Sequence, residues 1–241
     1  MNLLNRPSIK SEARSFISVD KRWLLILWAS LTPVFVQQVI SIFLLPLLYL
    51  TMTPFAIFMY EIDFYVIVFI VVLSLIILLI SMVIIPFTVA VSGYRLKCLR
   101  NNEFYSESIF HIVKPNFWKF ISIEIVKSLF LLLWTILLII PGCIKALAYS
   151  MTEYIICDNP NLSSKKAIKL SNTITKGYKW DLLIMYLSFI PWYLLSIITL
   201  GLGYIYVIPY IGITKAMYYE NLKKNAIETG FATPEEFGIN E

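Results

Sequence analysis

Four charged side chains stand inside apolar runs that should not carry them. Glu153 lies in the run 143–157. Glu124 and Lys127 lie near the start of the run 121–140, and Lys215 lies in the run 204–219. A charge within a bilayer costs about 2.5–3.5 kcal/mol on insertion scales, so such a group either pairs with an opposite charge or lines a path for ions or protons. Glu124 and Lys127, three apart, share a helix face and read as a local ion pair. Glu153 lies five residues before Asp158, with Lys127 and Lys215 as available cations. Together they form a candidate intramembrane polar site, read first as structural ion pairing and second as a transport site.

Other chemistry is poorly supplied. The single histidine, His111, lies between Phe110 and Ile112, and Cys98, Cys143 and Cys157 form no CxxC pair. Zinc needs several Cys or His ligands converging, so no metal or other cofactor is expected. No GxSxG, HExxH, P-loop or GxGxxG pattern occurs. The expectation is a protein without enzyme activity.

A basic constellation lies in "DNPNLSSKKAIKLSNTITKGYKW", residues 158–180. Pro160 disfavours helix at Asn159, so a helix should stop there. Ser163 is a suitable N-cap for the next one. With 3.6 residues per turn, Lys165, Lys169, Asn172 and Lys176 share one face, and Ala167, Leu170, Ile174 and Tyr178 the other. The spacing predicts an amphipathic helix that ends at Gly177. It lies on the cytoplasmic membrane surface or on the ends of the bundle, and either place buries the same stripe. Anionic headgroups would favour the lysine face by about 1 kcal/mol per basic residue. The expected partners are therefore anionic membrane lipids at the cytoplasmic face, with a membrane protein as the other occupant.

The elements that position these groups follow from hydropathy. Of 241 residues, 59% are hydrophobic and 15% charged. Soluble domains have roughly 45–50% and 25%. The excess sits in six blocks, about 24–50, 64–91, 121–140, 143–157, 182–200 and 204–219. A crossing helix needs about 20 apolar residues. The expected fold is all-α, a polytopic bundle of six transmembrane helices in three hairpins, forming one membrane domain over 1–224. The acidic tail 225–241, with "ATPEEFG", is expected to be loosely ordered. The first block is too long for a signal peptide and is expected to remain as an anchor.

Charge sets the orientation. Counted by segment, with Lys145 assigned to the turn before it, Lys215 to the C-terminal end and Lys127 left within the third block, Lys and Arg number five before the first block, then none, five, one, five, none and three in the successive connections and the C-terminal end. That alternation predicts both termini in the cytoplasm. The net charge of +5 is thereby absorbed by membrane orientation, and nucleic acid is not an expected partner. Trp23, Trp118 and Trp180 stand where basic segments enter a span and suit interfacial anchors. Trp28, Trp134 and Trp192 lie deeper in the blocks and suit packing. Gly142, Ala146 and Ser150, and later Gly212 and Ala216, are spaced for close helix approach.

The stretches "IIPGCIKALAYSMTEYIICDNPNLSSKKAIKLSNTITKGYKWDLLIMYLSFIPW" and "TLGLGYIYVIPYIGITKAMYYENL" resemble a bacterial integral membrane-protein family, domain of unknown function 975. The matching positions include Pro141, Gly142, Asp158, Asn159, Pro160, Gly177, Trp180, Pro209, Tyr210 and Glu220, and the likeness is strongest over about 139–222. The resemblance implies a multi-pass protein of a bacterial plasma membrane. It brings no established activity, and these positions read as structural. The functional expectation is a lipid- or partner-binding membrane component, in envelope homeostasis or antimicrobial-peptide tolerance. The alternative is a small permease-like protein built around Glu153.

Overall fold

The computed structural model describes residues 5–18, 24–31, 64–101 and 107–239. Most of the expected first span lies outside the described residues, and so does Trp23. The described residues form helices and turns, with no strand. In chain order the helices are α1 (Arg6–Ser18), α2 (24–31), α3 (Phe64–Asn101), α4 (Glu107–Leu137), α5 (Ile139–Ala148), α6 (Thr152–Asp158), α7 (Ser164–Ile174), α8 (Lys179–Leu187), α9 (Ile190–Ile198) and α10 (Tyr204–Glu228). A 3₁₀ turn, Pro234–Phe237, follows.

Three stretches among the described residues are long and apolar enough to cross a membrane: Met82–Asn101, Ile109–Leu137 and Lys179–Ile198. The outer faces match that environment. Leu129, Leu132, Leu133, Ile136 and Leu137 of α4 are exposed, as are Leu194, Leu195, Ile197 and Ile198 of α9. Contiguous apolar surface of this extent is stable in lipid and costly in water. Trp118 and Trp180 are 79% and 74% exposed. Trp28, read as a packing residue, is 67% exposed instead. Trp134 and Trp192 are half-buried.

The helix boundaries differ from the hydropathy blocks, each time for a backbone reason. The break between the third and fourth blocks falls at Leu138, which is extended, three residues before the expected Pro141-Gly142 turn. Pro141 instead sits in the first turn of α5, where its missing N–H leaves no helical bond unmade. Gly142 packs under α4, where a Cβ would stand 2.7 Å from the Thr135 hydroxyl. The expected span 143–157 is two helices, α5 and α6, parted by a turn at Tyr149–Met151. The carbonyl of Ala148, freed by that turn, accepts from the hydroxyls of Ser171 (2.7 Å) and Thr175 (3.3 Å). The expected span 182–200 is likewise parted at Ser188–Phe189, because Pro191 cannot donate to the helical ladder.

α7 follows the cap chemistry of its sequence. The Ser163 side chain accepts from the Lys166 amide, and Gly177 beyond the helix has φ +88°. Ala167, Ile168, Leu170, Ser171 and Ile174 are buried against α4, α5 and α6. Ser122 of α4 hydrogen-bonds to Ser164 at 2.9 Å.

The tail departs most from expectation. α10 runs on to Glu228, and the chain then folds back so that Phe237 is 2% exposed. Thr233 and Glu236 close a capping box around the 3₁₀ turn, and Gly238 takes φ +71°. The Asn159 amide donates to the Glu235 and Glu236 carbonyls at 3.1 and 3.3 Å. The acidic composition suggested loose order, but one buried aromatic and one asparagine hold this segment down.

Candidate functional site: two polar clusters between the helices

The first cluster joins α3, α4 and α6. Lys127 donates to Glu124 at 2.5 Å and to Glu153 at 2.9 Å. The other Glu153 oxygen accepts from the Ser92 hydroxyl at 2.9 Å. The groups are mostly shielded, with Lys127, Glu124 and Glu153 side chains 13%, 18% and 26% exposed. In such surroundings a lone charge is costly and a hydrogen-bonded pair is tolerated, so the three charges stabilise one another. Helical spacing brings Glu124 and Lys127 together, while Glu153 arrives from α6, where the turn at Tyr149–Met151 resets the helix.

Lys215 of α10 stands apart from this chain of pairs. Its Nζ lies 5.8 Å from the Tyr186 ring centroid, and its charge reaches Glu153, Glu124 and Tyr154. Next to it, the Arg95 guanidinium covers Gly212, where a Cβ would stand 2.6 Å from Cζ. Arg95 also donates to Ser30 at 3.0 Å. Arg95 looked like a loop charge because hydropathy drops after Val91; α3 carries it inside the bundle.

The second cluster lies one to two turns further along α3 and α6 and takes in α10. Asp158, 4% exposed, accepts from Arg100 at 2.8 and 2.9 Å, from the Tyr219 hydroxyl at 2.8 Å and from Lys223 at 2.7 Å. Arg100 also donates to Glu220 at 2.8 Å. Burial alone would raise the Asp158 carboxyl, but the hydrogen bonds and charge of Arg100, followed by those of Lys223, hold it below the ordinary range. Asp158, Asn159 and Glu220 thus act together, with Asn159 holding the tail. Pro160 lies in the turn after α6. Pro209 is buried within α10, and the Tyr210 hydroxyl reaches the Lys10 carbonyl of α1 at 3.5 Å. Arg100 and Lys223 were missed as partners; the signal available was one acid, Asp158, beside a helix-ending proline.

The lysines of α7 and of the turn that follows it face outward. Lys165, Lys166, Lys169 and Lys176 are exposed. Among the described residues they take part in no ion pair. His111 is exposed on α4, and no group of three or more His, Cys, Asp or Glu among the described residues could hold a metal ion. The arrangement can neutralise charge within the bundle and present cations at its edge.

Residues 135–226, from the end of α4 through most of α10, match the family described as Protein of unknown function (DUF975). That segment is less than half of the chain, and over it the chain is similar to this family. Asp158, Glu153, Lys215 and the whole of α7 fall within the matched part, while Arg95, Arg100, Glu124 and Lys127 precede it. No curated protein and no solved structure matches the chain.

Proposed function

We propose that this protein is a non-enzymatic component of a bacterial plasma membrane that binds anionic lipid at its cytoplasmic face. In this reading six spans form three hairpins with both termini in the cytoplasm, and α7 is an amphipathic surface helix. The observation that carries the reading is the lysine face of α7. Lys165, Lys169 and Lys176 are exposed and without ion pairs among the described residues, while the opposite side of the helix is buried. Free ammonium groups beside an exposed Trp180 suit an interface rich in anionic headgroups.

The test is lipid retention. Gentle extraction should carry anionic lipid with the wild-type protein, and the triple exchange Lys165→Glu, Lys169→Glu and Lys176→Glu should lose most of it. Retention unchanged by the charge reversal removes the reading. If a membrane protein leaves with the reversed face while lipid stays, that partner is the occupant.

A second reading, a small permease-like protein, is favoured by one feature. Glu124 lines a lateral groove of about 580 Å³ with Ile85, Thr88, Ile125, Ser128, Leu129 and Leu132. Proteoliposomes decide it: a proton or solute flux abolished by Glu153→Gln supports it, and a protein that passes no flux rejects it.

A further inference from the structure

Among the described residues, Arg95, Lys127 and Lys215 meet only Glu124 and Glu153 in the shell between α3, α4, α6, α8 and α10, which leaves one positive charge in excess. Lys127 takes both carboxylates. Arg95 and Lys215 form no ion pair among the described residues. They are close enough for their charges to act on each other. The Arg95 Nε–H is buried and donates to nothing among the described residues. Gly212, Lys215 and Tyr219 lie on one face of α10 at helical spacing. Opposite them stand Arg95 over Gly212, the Tyr186 ring beneath Lys215, and Tyr154 stacked on Tyr219 at 5.3 Å. Tyr154 is fully buried, and its hydroxyl has no hydrogen-bond partner among the described residues. The charges of Arg95 and Lys215 both reach that hydroxyl.

Beyond the Arg95–Ser30 bond, the Arg95 Nε–H, the Lys215 ammonium and the Tyr154 hydroxyl offer, around one spot, donors that no acceptor among the described residues takes up. Buried polar groups are ordinarily satisfied, and buried charges are ordinarily paired. Whatever completes the spot must accept hydrogen bonds and bring one negative charge. Its depth limits the choice. Arg95 and Lys215 each stand five residues before the Arg100–Glu220 pair along their helices, about 7–8 Å further into the bundle. In the topology proposed above, that places the spot one to two turns from the cytoplasmic ends of the two helices, within reach of the phosphate groups of a leaflet.

We propose that Arg95, Lys215 and the Tyr154 hydroxyl form a binding site for a singly charged phosphate group, supplied either by an anionic phospholipid or by free phosphate. This site is separate from the lysine face of α7 and does not depend on it.

The experiment uses the full chain in neutral detergent, stripped of lipid, with thermal unfolding followed during titration. The probes are short-chain phosphatidylglycerol, short-chain phosphatidylcholine and inorganic phosphate. Phosphatidylglycerol is expected to raise the unfolding temperature saturably, and phosphatidylcholine, with no net charge, is expected to do so far less. Stabilisation by inorganic phosphate alone keeps the site and assigns it to a soluble anion. Tyr154→Phe retains the ring stacked on Tyr219 and removes only the hydroxyl, so it should weaken the response about tenfold. Lys215→Met should weaken it further. The triple charge reversal on α7 should leave it intact, which separates failure of this site from failure of the α7 reading. Stabilisation by none of the anions, or an unchanged response in Tyr154→Phe, overturns the proposal even if Lys215→Met does not fold.

Discussion

Arg100 closes its guanidinium on Asp158 with two parallel hydrogen bonds of 2.8 and 2.9 Å, tying the last turn of α3 to the last residue of α6. This bidentate geometry is the strongest common form of ion pair. Tyr219 and Lys223 of α10 close on the same carboxylate. One side chain thereby joins three helices, at the place where α6 gives way to the Asn159-Pro160 turn.

Removing that carboxylate should unfasten all three. Asp158→Ala leaves Lys223, 9% exposed, without its counter-charge. Loss of one partner of a buried pair costs about 3–5 kcal/mol. Arg100 is 37% exposed and recovers solvent contact, so the lower end applies. The expected loss is about 3 kcal/mol, read as a large fall in the unfolding temperature of the detergent-solubilised protein. A change of less than one degree would show that the network is incidental.

The same carboxylate gives a pH dependence of known sign. Burial pushes its protonation upward, and the Arg100 hydrogen bonds and charge, with Lys223, hold it below the ordinary range. The folded protein thus takes up this proton less readily than the unfolded chain, whose Asp titrates near about 3.9. The stabilisation is present above that value and is lost as the pH falls through the folded-state value. Wild-type unfolding temperature should therefore drop below about pH 4, and Asp158→Asn, less stable at pH 7, should drop less over the same interval. Parallel acid limbs in the two proteins would assign the acid sensitivity to other carboxylates.

The fold class was legible because the bilayer demands long apolar runs, and α3, α4 and α8–α9 supply them. The cap at Ser163 was legible because local backbone chemistry decides it, whereas α7 stops at Ile174, three residues before the Gly177 expected to end it. The turns within the expected fourth and fifth spans were not legible. At Ala148 the carbonyl freed by the turn is met by Ser171 and Thr175 from a helix 23 or more residues away. Periodicity carries no trace of such a long-range bond. Glu153 stood out as a charge in an apolar run, whereas Arg95 and Arg100 were hidden by their place at the frayed end of one. The partners of Arg100 come from α6 and α10 and that of Arg95 from α2, and only the packed bundle brings them together.

Phe237 offers a test of the tail. Its ring is buried, and the Lys223 ammonium lies 5.2 Å from its centroid. Phe to Ala in a core costs about 3–5 kcal/mol. For one aromatic on a 3₁₀ turn the low end is expected, enough to free the segment after Thr233. Limited proteolysis should then cut Phe237→Ala within residues 230–239 while the wild type resists. Equal cleavage of both proteins would mean that the tail does not hold α6 and α10 together.

Cysteine labelling can decide the orientation, with probes chosen by burial. Cys98 is fully buried, so it should stay unlabelled in intact and in permeabilised cells and cannot report its side. Cys143 is exposed near the start of α5 and should react with a membrane-impermeant maleimide in intact cells if that end faces outward. The complementary probe is Lys169→Cys on the exposed face of α7, in a background where Cys143 is replaced by Ser. It should react only after permeabilisation. Labelling of Lys169→Cys from outside would place α7 on the far side of the membrane. The lysine face would then meet the outer leaflet, and both the six-span topology and the cytoplasmic lipid reading would fall together.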